Sequence, residues 1–179
     1  MEVVNRARIV GIGIAALFLV SIFAVAGARG DDEEAGWIAH MNGANERPTP
    51  RDTPAHGVAL IFMNDDGTLG FKILVANINN VVAAHIHCGS PDVAGPVGVT
   101  LFMGAAGQGR FNGVLVSGTK DAPDSGNACG WTDLAAVFAA IGGGDTYVNV
   151  HTNDGVAPPG TGPGDFPGGE IRGQLMPTD

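Results

Sequence analysis

Positive charge is scarce in this chain. Nine lysines and arginines stand against eighteen aspartates and glutamates, a formal net charge of −9 at pH 7. No basic cluster interrupts that balance, which argues against nucleic-acid binding. Several catalytic signatures are also missing. No serine sits in a Gly-x-Ser-x-Gly elbow, Ser90, Ser117 and Ser125 included. The run Pro159–Gly164 has the glycines of a phosphate loop but not its Lys-Ser/Thr. Strands do not alternate with helices in βαβ fashion, and no repeat of solenoid type is present. The carboxylate-bearing stretches Asn64–Gly67 and Thr152–Gly160 do not hold the full twelve-residue calcium loop with its terminal Glu, so they are expected to be plain turns.

One long apolar run exists, and it lies at the N-terminus. Arg6 and Arg8 precede "IVGIGIAALFLVSIFAVAGA", which closes on Ala24-Val25-Ala26 and Ala26-Gly27-Ala28. Charge, apolar core and small residues in that order predict a secretory signal peptide over residues 1–26. The competing expectation is an uncleaved anchor, since Ile9 to Val25 is just at the short limit for crossing about 30 Å of hydrocarbon. Contact with a membrane is expected only in that case. Residues 27–35, with Asp31-Asp32-Glu33-Glu34, read as a solvated acidic linker. A single domain over 36–177 follows. Export would place it in the periplasm or outside the cell.

Cysteine is nearly absent: Cys88 and Cys129 are the only two. In an exported chain this even count predicts one disulfide, closing a loop for about 4 kcal/mol. The alternative is Cys88 as a metal ligand beside two nearby histidines, although its strand parity turns it away from them.

What the chain does have is period-two apolar patterning. "HGVALIFM" and "LGFKILVAN" flank Asn64-Asp65-Asp66-Gly67 and form a predicted hairpin. Further strands are expected at Trp37–Met41, Val81–Cys88, Pro96–Met103, Arg110–Gly118, Asp145–Thr152 and Gly169–Met176, with a turn at Asn77–Asn80. Only "WTDLAAVFAAIGGG" has helical spacing, at Leu134, Val137, Phe138 and Ile141, with Thr132 as the expected N-cap. Trp37 and Trp131 are expected in the core or against the helix. The fold class is all-β: an antiparallel β-sandwich, Greek-key-like, of about seven or eight strands with one short helix.

"NGANERP", "AAHIHCGSPDVAGPVGVTLF", "YVNVHT" and "GEIRGQL" occur in this order around the hairpin. As a set they resemble the chordin-type domain, the CHRD family, over about Gly36 to Pro177. The resemblance implies an extracellular or periplasmic β-rich domain, found both in an animal growth-factor antagonist and in stand-alone bacterial proteins. It brings no settled activity for the bacterial type. The loops holding Cys129 and Gly155–Gly168 depart from the pattern, and His40 and His56 lie outside it. "HIH" on a sandwich strand with a further strand histidine is also similar to the copper site of copper–zinc superoxide dismutases. The zinc-loop histidines of those enzymes are missing, so that likeness is an analogy only.

His85 and His87 share one strand face, roughly 6.5–7 Å apart at Cα. If the strand of His151 pairs alongside, three imidazoles converge, a donor set suited to copper or zinc. Glu46 or Glu170 would then act as second-layer acceptor or fourth ligand, with Arg172 nearby. The alternative is a structural polar strip. In it the ring nitrogens bond loop carbonyls, Asn149 or Glu170, and Arg172 pairs with Glu170 or Glu46. The expected function is accordingly an exported, non-catalytic binding or structural module contacting an extracellular protein or polysaccharide through edge strands and Gly/Pro loops. The alternative function is a copper- or zinc-binding protein, with redox activity as an extension.

Overall fold

The computed structural model describes residues 36–178. The predicted signal peptide and acidic linker lie outside the described residues. Nine strands and one α-helix run in the order β1 (Gly36–Asn42), β2 (His56–Met63), β3 (Leu69–Asn79), β4 (Val81–Cys88), β5 (Val97–Met103), β6 (Arg110–Lys120), α1 (Leu134–Gly142), β7 (Thr146–Thr152), β8 (Ile171–Gln174) and β9 (Met176–Pro177). A single turn of 3-10 helix, Gly43–Asn45, follows β1. No helix among the described residues is long and apolar enough to cross a membrane.

The strands form one antiparallel path, β5-β4-β7-β8-β1-β2-β3-β6, with β9 beside β1. Its middle is thin: β8 and β1 share only the pair Asn42 and Arg172. The path therefore divides into two layers, β5-β4-β7-β8 and β1-β2-β3-β6. They enclose one apolar core in a barrel-like sandwich. Ala59, Ile61, Leu69, Phe71 and Ile73 come from one layer, and Ala84, Ile86, Val99, Val148, Val150 and Ile171 from the other. This is the all-β class read from the alternation, with the two sheets fused along one edge.

The predicted hairpin forms, with Met63 opposite Leu69, and Gly67 takes φ +79° in its turn. The carboxylate of Asp66 accepts from the Thr68 backbone N–H and hydroxyl, a local turn of the expected kind. Asn153 and Asp154 likewise accept from Gly155 N–H and Val156 N–H.

Two local expectations need correction. No full turn spans Asn77–Asn80; β3 runs on to Asn79, and Asn80 alone carries the chain between layers. Asn80 has φ +53°, a region asparagine tolerates better than most residues. It holds the corner through Gly109 on both its backbone and side chain, and through Gly164 and Asn153. The helix N-cap is Asp133, not Thr132: its carboxylate accepts the Ala136 N–H at 2.9 Å. Leu134, Val137 and Ile141 are buried as the helical spacing predicts, and Phe138 stacks on Trp37 with ring centroids 5.8 Å apart. Trp131 is buried in the same core.

Cys88 and Cys129 are joined in a disulfide, with Cα atoms 5.8 Å apart. This overturns the alternative of Cys88 as a metal ligand, since its sulfur is already bonded. The bridge pins the end of β4 to the loop before the helix.

Candidate metal centre

Strand parity decides which residues of β4 and β7 leave the core. Ile86 and Val148 point inward, so His85, His87, Tyr147, Asn149 and His151 occupy the outer face of that layer. The register places His85 opposite Asn149, and His87 opposite Tyr147. Arg172 and Gln174 continue the same rows on β8.

An outer face would ordinarily be wet, yet every residue of β7 is buried. Three loop segments cover it. Glu46, in the segment after β1, accepts from Asn149. The loop between β4 and β5 brings the Gly95 carbonyl to His87 Nδ1 at 2.9 Å. The long Gly/Pro loop before β8 brings the Pro167 carbonyl to His151 Nδ1 at 2.9 Å. Cover by polar loops is what allows polar side chains to be buried with partners.

These two bonds fix tautomers. A carbonyl accepts only, so the Nδ1 of His87 and of His151 carries the proton and each Nε2 keeps its lone pair. Both Nε2 atoms are buried without a hydrogen-bond partner, as is His85 Nδ1. One ring nitrogen from each histidine lies within 4.8 Å of the others. The rings pack closely, His85 on His151 at 4.9 Å and His87 on His151 at 5.6 Å between centroids.

Burial also holds the three imidazoles neutral. Desolvation is the largest cause in each case. It lowers His85 and His87 from 6.5 to about 4 and shifts His151 down as well. The neighbouring imidazoles depress His85 further, opposed only by the charge of Asp124.

The charged residues of the layer are arranged differently from the expectation. Glu170 accepts from Thr53 Oγ1 at 2.5 Å, Thr152 Oγ1 at 2.6 Å and Gly164 N–H at 2.9 Å. Arg172 donates to the Ser90 and Val93 carbonyls at 2.9 and 2.8 Å and lies 3.4 Å from the Tyr147 ring centroid. The predicted pairing of Arg172 with Glu170 or Glu46 does not occur. Among the described residues the ion pair that forms is Arg47 with Asp92. The physical reason is distance and competition: hydroxyls and loop carbonyls reach these groups first. Glu46 is 2 % exposed, and burial raises its pKa from 4.5 to about 7 against the opposing charges of Arg172 and Arg51.

Tyr147 was not singled out by the sequence, yet it is central. Its hydroxyl donates to the Gly95 carbonyl and accepts the Gly95 N–H, and its ring stacks on His87 at 4.9 Å with planes 12° apart. Gly95 is therefore the single point on which both His87 and Tyr147 are anchored. Asn149, expected as a partner of the histidine rings, donates to Glu46 instead; Thr53 and Thr152 were missed because both bond Glu170, which lies 117 and 18 positions away. Placing Tyr147 on the face of Asn149 and His151 was the one available signal.

Every residue of "GEIRGQ" now has a task. Gly169 approaches Asn149 and Glu46 so closely that a Cβ would sit 2.5 Å from Asn149 Nδ2. Glu170 ties three segments, and Ile171 enters the core. Arg172 clamps the loop between β4 and β5. A Cβ on Gly173 would lie 2.5 Å from the His40 carbonyl oxygen, so glycine there permits the β1–β8 seam. Gln174 donates to the Gly89 and Gly144 carbonyls. His40 and His56 lie on β1 and β2, exposed and apart from the three histidines.

No curated protein and no solved structure matches the chain. The CHRD domain family matches it over residues 37–161, from the first strand through the histidine-bearing β4 and β7 into the long Gly/Pro loop. The match thus covers β4 and β7, which carry the three histidines, and stops before β8; the chain belongs to the CHRD domain family.

Proposed function

We propose that this CHRD domain is an exported binding module whose outer β4–β7 face carries a divalent metal on His85, His87 and His151, copper or zinc by donor type. The observation that supports it is the convergence of three buried, neutral imidazole nitrogens, each without a partner. Leaving one buried acceptor unsatisfied costs about 1–3 kcal/mol. His87 Nε2 and His151 Nε2 are fixed as acceptors and His85 Nδ1 is free to present its lone pair beside them, so a cation can be served by all three. The carbonyl bonds at His87 and His151 are the kind that orient metal-ligating imidazoles. When bound, copper would supply redox chemistry, and zinc a Lewis acid or a structural tie.

Export rests on the N-terminal signal pattern and agrees with the disulfide, which persists in oxidising compartments. The partner surface would be an extracellular protein's or a polysaccharide's counterpart to the Gly/Pro loops and to β6, an edge strand exposed along most of its length.

Elemental analysis of untagged protein, equilibrated with copper or zinc and dialysed, tests the metal. One equivalent in wild type, lost in the His85→Ala/His87→Ala double variant, is expected. Wild type that folds but retains neither metal would make the three histidines structural.

A further inference from the structure

Three nitrogens leave a tetrahedral or square site incomplete. The other possible donors around the layer do not complete it. Glu46 accepts from Asn149 through Oε2, and although its Oε1 is buried without a partner, it does not join the three imidazoles within 4.8 Å; Glu170 serves Thr53, Thr152 and Gly164. Asp124 accepts from the Thr100 N–H at 3.0 Å and its hydroxyl at 2.6 Å. The Tyr147 hydroxyl is held by Gly95, and Cys88 by Cys129. Among the described residues the only group of three or more metal-type side chains is the histidine trio itself.

The trio is not evenly enclosed. His87 and His151 are buried and roped to loop carbonyls, while His85 is half-buried and its Nδ1 has no such tie. His85 pairs with Thr100 of β5, the edge strand of its layer, so the thin side of the cover is there.

The electrostatic setting favours one sign of ligand. All three histidines are neutral, and the charge that acts on His87 from outside the trio is the Arg172 guanidinium. Opposing it at the His85 side is Asp124, whose carboxylate is already bound at Thr100. A divalent ion here would carry its full charge into a water-poor layer where Coulomb attraction is stronger than in bulk water.

Resting on the metal reading above, we propose that the fourth coordination position opens at the His85 side and is filled by an exogenous small anion rather than by a side chain of this protein. Asp124 acts as the gatepost of that opening. It does not ligate the metal, and it weakens anion entry by its charge.

The test uses the full-length mature protein loaded with Cu(II), with azide as the probe. A saturable azide-to-copper charge-transfer band, with an altered copper EPR spectrum, is expected. Asp124→Asn is expected to tighten azide binding about two- to fivefold, as removal of one partly screened like charge would. Copper that binds stoichiometrically yet shows no spectral response to saturating azide overturns the open position. An azide response untouched by Asp124→Asn overturns its location at the His85 side. Failure to bind copper at all overturns instead the metal reading on which this rests, so the failures are distinguishable.

Discussion

The Arg172 guanidinium lies 3.4 Å from the centroid of the Tyr147 ring, and that ring in turn stacks on His87. A cation, a phenol and an imidazole from three adjacent strands thus form one stack across the outer face. Arg172 is 2 % exposed and has no carboxylate in contact; the Ser90 and Val93 carbonyls and the ring take its charge. The arrangement depends on a planar group that can stack and donate in two directions at once, which lysine cannot do. Arg172→Lys is expected to destabilise the fold by about 2–3 kcal/mol, from loss of charged hydrogen bonds. It should also lower metal affinity by about tenfold or more, because the loop that seats His87 loosens. Urea unfolding and metal competition titration check the two effects separately.

Acid should dismantle the site in a defined window. The His85 and His87 pKa values fall from 6.5 to about 4 on folding, and His151 shifts the same way. Between those limits the unfolded chain binds more protons than the folded one. Stability therefore drops as pH falls from about 6.5 to about 4 and levels off below. Glu46 works in the opposite direction. Its pKa rises from 4.5 to about 7, so its contribution is complete below 4.5 and is lost as pH rises through 7. Three groups outweigh one, and the net acid limb should survive. Metal-free thermal unfolding against pH is expected to show it, and His85→Gln/His87→Gln should flatten it. A wild-type profile flat from pH 6.5 to 4 would contradict the neutral burial of these rings.

The disulfide closes a span of 41 residues that contains β5, β6 and the loop before the helix. Chain-entropy arithmetic assigns about 4 kcal/mol to that closure. Cys88→Ser/Cys129→Ser should lower the urea midpoint accordingly and steepen the transition, because the unlinked unfolded chain exposes more surface. The histidine faces point away from Cys88, so metal binding by the folded variant should stay within a few-fold of wild type. Urea denaturation and metal titration on one preparation measure both.

Local periodicity made most of the layer assignment legible. Ala59 and Ile61, then Leu69, Phe71, Ile73 and Val75, and Val148 and Val150 all turn inward as alternation requires. His85, His87 and His151 were legible as a trio because a two-residue period fixes their face once their strands adjoin. The second layer of contacts was not legible. Glu170 meets Thr53 across 117 positions and Arg172 meets Val93 across 79, and no spacing rule reaches that far. The cap went to Asp133 rather than Thr132 because the choice turns on one residue of extended backbone, a boundary that propensity does not resolve. The turn expected at Asn77–Asn80 contracts to Asn80 because Ile78 and Asn79 stay paired with β6, while Gly109, Gly164 and Asn153, all remote in sequence, hold Asn80 at the corner.

Gly169 offers a clean separation of backbone strain from steric conflict. Its φ is +120°, outside the region L-residues occupy with ease, and a Cβ there would meet Asn149 Nδ2 at 2.5 Å and Glu46 Oε1 at 2.9 Å. Both neighbours are buried and neither is the loose end of an exposed chain. Gly67 supplies the control: φ is +79° in the hairpin turn, and nothing lies within 4 Å of a Cβ there. Gly67→Ala should cost only the left-handed penalty, about 1–2 kcal/mol. Gly169→Ala should cost about 3 kcal/mol or more, since strain of about 1–3 kcal/mol is joined by displacement of a buried hydrogen-bonded pair. It should also weaken metal binding, because Asn149 sits between Tyr147 and His151 on the strand that carries them. Gly67→Ala should leave metal affinity unchanged. Equal destabilisation by the two substitutions, measured by urea unfolding side by side, would mean that the Gly169 loop yields without disturbing the polar layer beneath it.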